Sequence, residues 1–229
     1  MAQPAKDHKY RNLVFVGFFL GISGSIFGYL LFPFQIYLLE FEESEYLIYV
    51  LISITGKLGW YVIWRMVLKK KSLTGSYSLS LIFAATVAFT DILFLLSNIP
   101  YPVKIVLYVV SFGTILGTSY SGPLFGIPLG ATLIQEAAVK IDASNVDETI
   151  SNISGSYSGF SMFIGSLGGA ISSIVIGLLL TGNNQSNPII ITLLFTSQGF
   201  FYLIAVLFLR KIKLDKPISI DKTLNLENP

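Results

Sequence analysis

Two charged side chains sit deep inside apolar runs: Lys57 within ISITGKLGWYVIW and Asp91 within LIFAATVAFTDILFLL. A lone charge in hydrocarbon costs at least about 2.5–3.5 kcal/mol on insertion scales, and pairing removes most of that cost. Counted from the basic ends of the two runs, taken as Leu68 and Leu79, both lie roughly 17 Å along their helices. The sequence therefore predicts a Lys57–Asp91 ion pair, which either locks two helices together or lines a polar pathway. Gln198, flanked by Thr196 and Ser197, is the other deep polar group; it makes an interhelical hydrogen bond or faces a cavity. Tyr120, Pro123, Pro128 and Glu136 cluster where one apolar run ends, and they are candidates for a cavity wall or a gate.

Other chemistry is excluded or weakly supported. With no cysteine there is no disulfide, no thiolate-held metal and no thiol nucleophile. The only histidine, His8, lies in the polar N-terminal segment, so a histidine metal site or catalytic triad is not expected. Glu136, Asp142, Asp147 and Glu148 lack the tight spacing of metal ligands. GISGSIFG in the first run has neither the preceding strand nor the following Lys-Ser/Thr of a phosphate loop. The expectation is a non-enzyme without cofactor or metal. A net charge of +2, with bases grouped at the ends of runs, does not suggest nucleic acid.

The elements that must hold these residues are membrane helices. Hydrophobic residues are 53% of the 229, charged residues only 12%, and the mean hydropathy is +0.70. Soluble domains are about 25% charged, so the bilayer is the expected solvent. Six runs reach the roughly 20 residues needed to span it: 12–39, 46–68, 79–98, 103–134, 154–181 and 188–209. The runs are continuously apolar rather than alternating, and an open sheet edge in lipid would leave backbone groups unpaired, so the fold class is all-α. Residues 1–11 then form a cytoplasmic N-terminus, 12–213 a six-helix domain and 214–229 a cytoplasmic tail, expected to be disordered after Lys216. Lys6, Lys9 and Arg11, then Arg65 with Lys69–Lys71, then Arg210, Lys211, Lys213 and Lys216 fall on one side, which the positive-inside rule makes cytoplasmic. A multi-pass cell-membrane protein with both termini inside follows.

Details sharpen this picture. Small residues recur every four positions (Gly17/Gly21/Ser25, Gly24/Gly28, Gly113/Gly117, Gly165/Gly169/Ser173), the spacing that lets membrane helices approach closely. Pro33, Pro123 and Pro128 should bend or loosen their helices. Trp60, Tyr61 and Trp64 are placed for an interfacial aromatic belt. Asn145 with Glu148 resembles a capping box and predicts a short helix from Val146. Asn184-Gln185-Ser186 is a glycosylation triplet of the kind that arises often by chance.

PLGATLIQEAAVKID, VDET and GSYSG, in that order, resemble the signature of the glycoside–pentoside–hexuronide:cation symporter family of the major facilitator superfamily. Asp147 and Glu148 stand for its acidic loop pair, and Gly155, Tyr157 and Gly159 match the start of its next helix. The family's loop arginines are replaced here by Asn152-Ile153-Ser154, and its frequent lysine in that helix falls at Gly165 or Ser166. The resemblance implies that the six spans are the C-terminal half of a twelve-helix carrier. Spans 1 and 4 would then line the cavity, spans 2 and 5 would face the other half, and spans 3 and 6 would pack outside. It further implies a small, sugar-like solute, Na+ or H+ as coupling ion, and a second six-helix half supplied by another copy or a separate chain. A non-transporting membrane scaffold, or an inactive fragment of a carrier, is the alternative.

Overall fold

The computed structural model describes residues 2–96 and 98–214, except for the side chains of Ala2, Ser44, Tyr120 and Ser121. The expected disordered tail lies almost wholly outside the described residues. A short α1 (Ala2–Lys6) precedes α2 (His8–Tyr37), α3 (Tyr46–Leu68), α4 (Leu73–Thr90), α5 (Tyr101–Ile141), α6 (Val146–Leu179), α7 (Pro188–Thr196) and α8 (Gln198–Leu209). A 3-10 turn, Asp91–Leu95, prolongs α4, and Ser197 separates α7 from α8. Among the described residues there is no strand, and six helical stretches are long and apolar enough to cross a membrane.

Local chemistry sets the helix starts. The Asp7 carboxylate accepts from the backbone N–H of Lys9 and Tyr10 at 3.0 and 3.1 Å. Ser72 Oγ accepts from Gly75, and Asn187 Oδ1 accepts from Ile189 and Ile190, with Pro188 at the first helical position of α7. Each satisfies N–H groups that a helix start leaves without partners.

The packing follows a rule that sequence order hides. The first span, α2, lies along the fifth, α6; the second, α3, lies along the fourth, α5; the third (α4 with its turn) lies against the sixth (α7–α8). α2 also packs on α8, and α4 on α5. Exchanging spans 1–3 for spans 4–6 maps these five pairings onto themselves. The exchange extends to detail. A Cβ on Gly21 of α2 would lie 2.2 Å from the carbonyl oxygen of Gly165 on α6, and one on Gly56 of α3 would lie 2.8 Å from that of Gly113 on α5. At both crossings backbone meets backbone, which only glycine permits. Spans 3 and 6, partners under the exchange, are the two with interrupted helices.

Two aromatic-rich cores fill the bundle. One, at the end carrying Lys9, gathers Tyr10, Trp64, Tyr77, Phe125, Tyr157 and Tyr202. The other gathers Phe34, Phe94, Tyr108, Phe112 and Phe195 around a stacked Phe112–Phe195 pair 4.8 Å apart.

Several expectations change. Trp64 is no belt residue: it is 3% exposed, stacked on Trp60 and set edge-on to Phe125. α5 continues as helix through Pro123 and Pro128, whose exposed rings face away from the bundle. Asn145 does not cap the backbone; its amide donates instead to the Glu148 carboxylate. The helix from Val146 is not short either, but runs unbroken into the fifth span. The third span starts at Leu73, six residues earlier than the hydropathy boundary suggested.

Candidate functional site

The best-defined polar arrangement lies where α2, α5 and α6 meet. Asp7 starts α2 so that Lys9 and Tyr10 project toward the two long helices. Lys9 Nζ contacts Glu136 Oε2 at 2.7 Å, with the side chains 23% and 14% exposed. One residue on, the Tyr10 hydroxyl donates to the backbone carbonyl of Tyr157 at 2.7 Å, and the two rings meet edge to face at 4.6 Å. One turn of α2 thus grips α5 through charge and α6 through a buried hydrogen bond. An open groove of about 410 Å³ runs beside this grip, lined by residues including Tyr10, Gly17, Gly126, Gly130, Ser158 and Ser161. The arrangement holds helix ends together. It contains no nucleophile–base pair, and no three His, Asp or Glu side chains among the described residues stand close enough to hold a metal.

The predicted intramembrane ion pair is not formed. Asp91 is fully buried, and neither carboxyl oxygen receives a hydrogen bond from the chain. Lys57, half-buried on α3, is engaged elsewhere. Two physical causes separate them. Because the third span begins at Leu73, Asp91 lies about 27 Å along it, against roughly 17 Å for Lys57 from Leu68. And α3 lies along α5 rather than along α4. Equal depth on consecutive helices was the premise of the pairing, and neither half of it holds.

The remaining candidates separate into groups. Gln198 is buried; its Nε2 donates to the Phe195 carbonyl at 3.0 Å and its Oε1 accepts from Ser23 Oγ of α2 at 3.5 Å. It bridges the α7–α8 break to α2 and does not line an open cavity. The Tyr120 side chain lies outside the described residues. Pro123 and Pro128 flank the open side of α5, beside Gly126. Asp147 and Glu148 are exposed in the first turn of α6, where negative charge suits the helix N-terminus. Gly155 and Gly159 have nothing within 4 Å of an added Cβ, whereas Tyr157 between them is buried in the grip. In the connector, the Ser144 hydroxyl and backbone N–H both donate to Asp142 Oδ1, holding that carboxyl below the usual aspartate range. At the opposite end, the Tyr101 hydroxyl donates to Glu45 and lowers its pKa likewise.

Sequence reasoning singled out Glu136 and Tyr157 but missed Lys9 and Tyr10. The Lys9–Glu136 contact spans 127 residues, so no local pattern announces it. The grouping of bases on one side was the only available signal. Compared with known protein families, with curated proteins and with solved structures, the chain gives no match.

Proposed function

We propose that this chain is one six-helix half of an alternating-access carrier for a small solute, with both termini cytoplasmic in a cell membrane. The observation that carries the reading is the exchange of spans 1–3 with spans 4–6. Carriers of the major facilitator type are built from halves that each contain two inverted three-span repeats, and such nested repeats generate this kind of crossed pairing. Three positively charged clusters on one side support the orientation.

A second feature fits a half rather than a finished unit. Several glycines leave open space where a Cβ would stand: Gly17, Gly24 and Gly28 on α2, Gly122 and Gly126 on α5, Gly155, Gly159 and Gly177 on α6. Glycine lowers helix stability by about 1 kcal/mol relative to alanine, and here nothing among the described residues occupies the space a methyl group would fill. A cavity and a second half, whether another copy or a separate chain, would use that open side. The grip of Lys9 and Tyr10 would then keep the cytoplasmic ends of α2, α5 and α6 moving as one body during rocking.

The absence of native cysteines makes the test direct. Single cysteines at Gly24, Gly126 and Ser161 would be challenged in native membranes with a membrane-impermeant maleimide, with Leu207 as a lipid-facing control. A carrier predicts reaction at the first three positions and none at the control. If all four are equally inert, the scaffold reading replaces this one. Self-crosslinking through a cysteine at Met162 then distinguishes a second copy from a different partner.

A further inference from the structure

Asp91 has no role in the grip and no ion-pair partner, and its surroundings suggest one. It ends α4, where the helix tightens into the Asp91–Leu95 turn; Phe94, one turn on, packs on Phe34. Its polar neighbour is Ser111 of α5, whose hydroxyl approaches the carboxyl without reaching hydrogen-bond geometry. The turn also packs against α7, whose Thr192 and Thr196 are buried. The hydroxyls of Ser111, Thr192 and Thr196, like both oxygens of Asp91, find no hydrogen-bond partner among the described residues. A buried carboxyl among unsatisfied hydroxyls is costly unless something positive completes it.

We propose that Asp91, with the hydroxyls of Ser111, Thr192 and Thr196, binds a small monovalent cation, either Na+ or a proton. This deepens the carrier reading by giving a coupling ion its ligands, and it rests on that reading for its purpose but not for its test. Asp91 lies about 6 Å inside the far end of the third span, four residues from Leu95, and Thr192 and Thr196 lie about 6 and 12 Å inside that of the sixth, four and eight residues from Pro188. Among the described residues no base forms a salt bridge with Asp91. α7 carries no charged residue, Lys104 lies two turns from Ser111 along α5, and Lys9 and Arg11 stand at the opposite end of α2. The nearby titratable Tyr108 has its hydroxyl engaged by Gln35 Nε2 at 2.6 Å.

The test is a binding measurement on the purified full chain in detergent, with no solute and no transport step. Thermal unfolding would be followed while NaCl replaces choline chloride at constant ionic strength, and separately while pH is lowered from mildly alkaline to mildly acidic. A sodium site raises the wild-type midpoint with NaCl; a proton site raises it on acidification and ignores NaCl. Asp91→Asn should abolish whichever response is present. Ser111→Ala should weaken a sodium response several-fold. A wild-type midpoint indifferent to both, or an Asp91→Asn protein that keeps the full response, overturns the proposal. If Asp91→Asn does not fold, labelling of wild-type Asp91 by a hydrophobic carbodiimide takes its place. Labelling slowed by Na+, or persisting to neutral pH before it falls, supports the site, and labelling unaffected by Na+ and already lost at mildly acidic pH overturns it. Failure of the maleimide experiment would remove the carrier reading and leave this ion response unchanged.

Discussion

The glycine contacts make a prediction that a matched pair of substitutions on one helix can decide. A Cβ at Gly21 would stand 2.2 Å from the Gly165 carbonyl oxygen, 3.2 Å from its carbonyl carbon and 3.3 Å from the Gly169 nitrogen. A comfortable carbon–oxygen approach is about 3.3–3.6 Å. Gly21→Ala must therefore push α2 and α6 apart by about 1 Å, and the obstacle is backbone, which cannot rotate away. Overpacking of this kind costs about 1–3 kcal/mol. Gly24, less than one turn further along α2, has nothing within 4 Å. Both substitutions gain the same helix propensity, about 1 kcal/mol for alanine over glycine, so that term cancels between them. Gly24→Ala should thus be neutral or stabilising in the isolated chain, with Gly21→Ala about 1–3 kcal/mol below it. Equilibrium unfolding in mixed micelles, read by the fluorescence of Trp60 and Trp64, measures the gap. Equal stability of the two variants would refute the close approach of α2 and α6.

Other expectations follow from the polar contacts. Tyr10→Phe removes the 2.7 Å bond to the Tyr157 carbonyl while keeping the ring contact, and should cost roughly 1–2 kcal/mol in the same unfolding assay. Lys9→Glu and Glu136→Lys should each lower stability by about 1 kcal/mol, and the double swap should restore most of it, because the pair is only partly shielded from solvent. Swapping Lys57 and Asp91 should recover nothing lost by either single change, since the two side chains do not meet. In the connector, Ser144→Ala should move the Asp142 titration, followed by carboxyl NMR shifts, back up toward the ordinary aspartate range. The sign follows from linkage: a carboxyl whose pKa is lowered by folding adds stability above its unfolded value. That contribution is lost as pH falls through the lowered one.

How far the sequence could be read depended on the range of each interaction. Span number and helical character rest on local hydropathy, and six such stretches are present in the structure. Helix starts at Asp7, Ser72 and Asn187 rest on contacts two or three residues away. Depth was harder. Ser72–Leu79 contains Thr74, Ser76 and Ser78, which dilute the hydropathy of the first turns of α4, although Ser76 and Ser78 are buried. That masked start shifted Asp91 by nearly two turns and produced the false pairing with Lys57. Which helices touch was harder still. The glycine repeats signalled close packing but not its partner, and only some of them are used within the chain: Gly21 and Gly165 are, Gly24 and Gly28 are not. Tyr10 and Tyr157, 147 residues apart, belong to the same class of information.

The crossed pairing of the spans also bears on how the chain is made. The first three spans scarcely touch one another: α2 finds its main neighbours in α6 and α8, and α3 in α5. As the chain emerges, spans 1–3 enter the lipid with their packing surfaces bare, and the Gly21 seat stays empty until residue 165 has been synthesised. A bundle of this design inserts early and compacts late. Its vulnerable interval is the time between the third and fourth spans, when the membrane holds three nearly solitary helices, and that is when an insertion chaperone would have most to protect.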